Sequence, residues 1–104
     1  MLVELTIIPL GGDTHMSDEV TGVIKVIDAS GLPYQLTPCG TCIEGDWSEV
    51  MALVRRCHEQ VRKQSAHVIT MLQIEDQEGA QGKLRHNVAS VTQKLGKPAQ
   101  RMAS

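Results

Sequence analysis

Residues 31–45, GLPYQLTPCGTCIEG, read as strand, tight connection, strand, set between two helical patterns. Tyr34–Thr37 and Thr41–Glu44 are the extended runs, and Pro38 and Gly40 bend the chain between them. Upstream, Val3, Leu5 and Ile7 alternate with Glu4, Thr6 and Ile8, the period of a strand with one apolar and one mixed face. Pro9–Gly12 ends that strand. Downstream, His67–Glu75 is a fourth strand: Val68, Thr70, Leu72 and Ile74 share one face, with Ile69 and Met71 opposite.

The helical patterns lie between these strands. Ser17 is placed as an N-cap, with Asp18 and Glu19 favouring the dipole of the first turn. Val20, Val23, Ile24 and Ile27 follow as one stripe, and Ser30–Gly31 is the stop, with Pro33 beyond. A second helix opens on Asp46–Glu49, a capping-box pattern, and carries Trp47, Val50, Met51, Val54, His58 and Val61 on its predicted inner side. Gly79–Gly82 breaks the chain. Leu84, Val88, Val91 and Leu95 then form a third, shorter stripe, stopped at Gly96–Pro98. The order β-α-β-β-α-β plus a terminal helix predicts an α+β fold. The expected architecture is a ferredoxin-like sandwich with a four-stranded antiparallel sheet, both main helices on one face, and an extra C-terminal helix. Residues 1–96 are read as one domain and 97–104 as a frayed tail.

Two helices cover one sheet face only. The other face combines Ile8, Ile69 and Met71 with Glu4, Thr6 and Thr37, too apolar to stay solvated. It is expected to pack on a second copy, under the terminal helix, or both.

Bulk properties narrow the function. The 104-residue chain carries a net charge of −2, so no global field draws it to nucleic acid or an anionic membrane. Aromatics are Trp47 and Tyr34 alone, which argues against stacking on single strands. The apolar N-terminus is too short to span a bilayer and lacks a basic start. Three cysteines are an odd count, so the expected setting is a reducing cytoplasm without a disulfide framework.

Cys39 and Cys42 form a Cys-x-x-Cys, but the helix that would lower a thiol pKa begins only at Asp46. In an extended segment, positions three apart point to opposite faces. His15, His58, His67 and His86 are scattered and match no zinc spacing. The cysteines are therefore read as small apolar fillers, and no metal site is expected. His58 is read as a packed, hydrogen-bonded histidine. No nucleophile elbow, P-loop or dinucleotide fingerprint is present. A polar set remains on the strands: Glu4, Thr6, Thr37, Thr41 and Glu44. These are either good strand formers with surface acids, or hydroxyls and a carboxylate that orient a small ligand.

Several segments occur in order along the chain: Ile7-Ile-Pro-Leu-Gly11, Ser30-Gly-Leu-Pro-Tyr34, Leu36-Thr-Pro-Cys-Gly-Thr41, Ile43-Glu-Gly45, Asp46-Trp-Ser-Glu-Val50 and Val88-Ala-Ser-Val91. Over about residues 3–92 this resembles the small YkoF-like thiamine-binding family. The Thr-Pro-x-Gly-Thr-x-x-Glu-Gly block is its more specific part. The resemblance implies a ferredoxin-like fold and assembly into a homodimer or homotetramer through sheet faces or edges. It implies binding of thiamine or its hydroxymethylpyrimidine moiety, with no catalysis and no cofactor. It also implies that Cys39 and Cys42 stand where apolar residues are usual. Where the family tends to have Ile-Asp-x-Arg after the last strand, this chain has Ile74-Glu-Asp-Gln77. The ligand residues it points to are Thr37, Thr41 and Glu44 from the motif, joined by Ser17 at a helix N-terminus and Thr6 from the first strand. The alternative function is an oligomeric regulatory or interaction module that binds a protein or a different metabolite.

Overall fold

The structure, a computed structural model, describes residues 1–11, 16–79 and 81–96, with backbone only at 16 and 17. The tail expected at 97–104 lies outside the described residues, as do residues 12–15. The elements run β1 (Leu2–Pro9), α1 (Met16–Ser30), β2 (Tyr34–Thr37), β3 (Gly40–Glu44), α2 (Trp47–Arg62), β4 (Val68–Glu75) and α3 (Lys83–Leu95). The strands form one sheet in the order β2-β3-β1-β4, and every pairing is antiparallel. That is the ferredoxin-like arrangement with an added C-terminal helix.

Register follows from the alternation. Val3 pairs with both Ile43 and Ile74, and Leu5 with both Thr41 and Leu72, so these residues share the face under α1 and α2. Val3, Leu5 and Ile43 meet Val23 and Ile27 of α1 and Val50, Leu53, Val54, Cys57 and Val61 of α2 in one core. The inner line of α2 thus runs through Leu53 and Cys57, which the predicted stripe omits. Trp47, the first residue of the helix, is 57% exposed, not packed inward. The predicted capping box is absent too: Asp46 makes no side-chain cap bond, and the helix starts with the Val50 N–H donating to the Asp46 carbonyl. His58 packs as expected, its Nδ1 2.6 Å from the Thr70 hydroxyl.

The opposite sheet face is partly roofed by α3. Its N-cap is Gly82, left-handed and without a side chain to accept an orphan N–H. Glu44 of β3 fills that role, its carboxylate accepting from the Lys83 N–H at 2.6 Å. Glu75 of β4 pairs with Lys83 Nζ at 3.3 Å. The two carboxylates flank Leu2 in register, so together they pin the start of α3 to one end of the sheet. Along α3, Leu84 and Val88 are half-buried, whereas Val91 and Leu95 stay exposed. Ile69 and Met71, near the other end of this face, are also exposed.

Candidate functional site

The tip of the β2–β3 hairpin is built around two residues. Thr37 Oγ1 donates to the Gly40 carbonyl at 2.8 Å and accepts from the Gly40 and Cys39 N–H groups, closing the turn on itself. Gly40 then lies hard against β1. A Cβ there would stand 2.6 Å from Thr6 Oγ1 and 2.8 Å from the Leu5 carbonyl, so only glycine allows this approach. The Thr6 hydroxyl donates to the Cys39 carbonyl at 3.0 Å and fixes the tip over the strand.

This folding leaves a cavity of about 310 Å³ between the hairpin, the second half of β1 and the first turns of α1. Its walls are mostly apolar: Leu5, Ile7, Val20, Val23, Ile24, Leu36 and Val61. Thr6, Thr37, Thr41 and Glu19 bring polar atoms to it. An apolar chamber with a few convergent polar groups is the usual form of a small-molecule site.

The candidate residues divide. Thr6, Thr37 and Thr41 come together at this cavity, but the hydroxyls of Thr6 and Thr37 are engaged in holding the hairpin. Thr41 is 6% exposed and its hydroxyl has no hydrogen bond among the described residues. Glu44 does not border the cavity; it caps α3 on the opposite sheet face. Ser17 falls in the first turn of α1, which begins at Met16, and its side chain lies outside the described residues. Glu4 is exposed on the face away from α1 and α2, across from Cys42.

Glu19 is the residue the sequence reading passed over as a first-turn acid. It is 7% exposed, and neither carboxylate oxygen has a hydrogen-bond partner among the described residues. The signal is its spacing: Glu19 stands four residues before Val23 and eight before Ile27, on the buried side of α1.

The cysteines give no reactive pair. Cys39 is exposed in the turn and Cys42 half-buried in β3, so neither fills the core as expected; Cys57 does. Burial, reinforced by the Glu4 carboxylate, raises the Cys42 pKa, the direction opposite to thiolate activation. Burial pushes the Cys57 thiol to about 11, against a weaker opposing effect of Arg56. Away from the cavity, the Tyr34 hydroxyl donates to Asp28, and that bond raises the Tyr34 pKa. No group of three or more His, Cys, Asp or Glu among the described residues could hold a metal. Nor is any helix there long and apolar enough to cross a membrane.

Residues 3–92 match the sequence profile of a family described as thiamine-binding protein. The UPF0045 protein Mb1933 of Mycobacterium bovis is 35% identical over 99 residues, covering 94% of this chain and 97% of its own length. The UPF0045 protein YqgV of Bacillus subtilis is 34% identical over 100 residues, covering 90% and 96%. Among solved structures, MJ1052 of Methanocaldococcus jannaschii superposes with a TM-score of 0.79 at 24% identity, over 86% of this chain and 93% of its own. TM0486 of Thermotoga maritima, described as a candidate thiamine biosynthesis/salvage protein, gives 0.77 at 20% identity, over 86% and 96%. These structures share the fold. The sequence match, spanning hairpin, sheet and both main helices, shows that the chain belongs to the family of thiamine-binding proteins.

Proposed function

We propose that this protein binds thiamine or its hydroxymethylpyrimidine moiety, without catalysis, in the cavity between α1 and the β2–β3 hairpin. One observation carries the reading: the Leu36–Thr41 stretch of the family motif forms a wall of that cavity, where Thr41, a largely buried residue, offers a hydroxyl with no hydrogen bond among the described residues. A hydroxyl in that state gains a partner when a polar ligand enters. Thr37 and Thr6 support the site by shaping the hairpin. The protein acts as a cytoplasmic homo-oligomer, with no nucleic-acid or membrane partner. The oligomer buries Ile69 and Met71, which stand exposed on the sheet face that α3 only partly covers.

The same exposed residues favour a second reading, an interaction module that docks a protein on that face. Thermal unfolding with millimolar thiamine or hydroxymethylpyrimidine separates the two. A ligand at about 100 times its Kd adds about 2.7 kcal/mol of apparent stability. At this chain length that is a midpoint shift on the order of 10 °C. No shift with either ligand removes the thiamine reading and leaves the interaction module.

A further inference from the structure

We propose that Glu19 is the specificity-determining group of the cavity, and that it selects a planar ligand edge carrying two N–H donors and positive charge, an amidinium edge such as that of a protonated aminopyrimidine. This rests on the small-molecule reading of the cavity and deepens it by naming the chemistry recognised.

A carboxylate that is 93% buried must pair with a cation or accept hydrogen bonds, because a bare one loses its hydration for nothing. Glu19 does neither among the described residues, with both oxygens unpartnered there. Two openings meet its side chain. One is the cavity described above, and the other is a small cleft lined by Asp18, Gly22, Gln60, Val61 and Gln64. Neither is lined by lysine, arginine or histidine among the described residues, which therefore supply no counter-charge. Only the cleft's glutamines stand near, and they make no bond to it. The helix N-terminus at Glu19 favours a negative charge but satisfies neither oxygen. With no partner among the described residues, the pairing group is assigned to the ligand.

Its geometry follows from the acceptor. Two free oxygens on one planar carboxylate match two parallel N–H donors, as in the bidentate pairing of guanidinium with carboxylate. Glu19 with its neighbour Asp18 makes a poor metal site, since no group of three or more His, Cys, Asp or Glu among the described residues could hold a metal. The aliphatic walls from Val20, Ile24 and Leu36 suit a flat heterocycle behind such an edge, and they keep water from competing for the carboxylate.

Titration calorimetry on the full chain tests this with three probes: the 4-amino hydroxymethylpyrimidine, its 4-oxo analogue, and benzamidine, which carries an amidinium and nothing else of thiamine. Wild type should bind the amino compound at least about tenfold more tightly than the oxo compound, whose carbonyl faces the carboxylate. Glu19→Gln should lose at least about tenfold for the amino compound and benzamidine. Without ligand, Glu19→Gln should unfold at the same or a higher temperature, since an unpaired buried charge is gone. A lower midpoint would make Glu19 a structural residue and overturn the proposal. Measurable and equal affinity of wild type for the amino and oxo probes would overturn it without any variant. If the amino compound binds wild type and Glu19→Gln alike, the proposal fails and the thiamine reading stands. If benzamidine binds through Glu19 while thiamine and the pyrimidine do not, the proposal stands and the thiamine reading fails. Binding of none of the probes overturns both.

Discussion

At the scale of single residues, the two motif threonines have different work. Thr37 spends its hydroxyl on three hydrogen bonds inside the turn, whereas Thr41 keeps its own for the cavity. Thr37→Ala should therefore lower unfolding stability by about 1–2 kcal/mol in urea titrations, because the turn loses its closure. Thr41→Val should leave the urea midpoint unchanged or raised, yet weaken thiamine binding by about 1 kcal/mol in calorimetry, roughly fivefold. Gly40→Ala should destabilise by about 1–3 kcal/mol, since its Cβ would collide with Thr6 and the β1 backbone. Cys57 gives a pH signature. Its thiol stays protonated in the folded core and ionises more readily once unfolded, so its contribution is full below pH 9.0 and lost as pH rises toward about 11. The fall in stability over that range, followed by urea midpoints, should be shallower in Cys57→Ala than in wild type. Sequence alone reached Thr41 through the motif but missed Glu19. A first-turn acid ordinarily serves the dipole in solvent, and only the tertiary layer shows that this one faces inward.

Among the elements, the strands were the most legible, because period two fixes which side chains share a face. The faces read from β1 and β4 are those in the sheet, to within a residue at the ends. Helix α2 was legible in its extent but less so in its inner line. Trp47 was drawn into the stripe by hydrophobicity, while Leu53 and Cys57 hold the centre that the 3.6 period defines. The role of Glu44 could not be read locally at all, since its partner lies 39 residues away across the sheet. Glu44→Ala should free the N-terminus of α3, with a loss of about 1 kcal/mol and faster amide exchange confined to residues 83–95. Thiamine affinity should not change, because Glu44 does not border the cavity. A large loss of affinity would return Glu44 to the binding site.

For the whole molecule, the sheet order follows from the element order, and it places the hairpin tip and the opening of α1 at one cavity. Two separate surfaces are expected: a binding chamber between hairpin and α1, and an assembly face on the other side of the sheet. Met71→Glu should reduce self-association in sedimentation equilibrium, since a charge would enter an apolar contact. An unchanged oligomer would remove that face from the assembly. The central claim concerns where the ligand sits, and hydrogen exchange followed by mass spectrometry with and without saturating thiamine reads it directly. Thiamine should slow exchange in residues 19–24 and 36–41 and leave 83–95 unaltered. Protection confined to 83–95, or none anywhere, would contradict it.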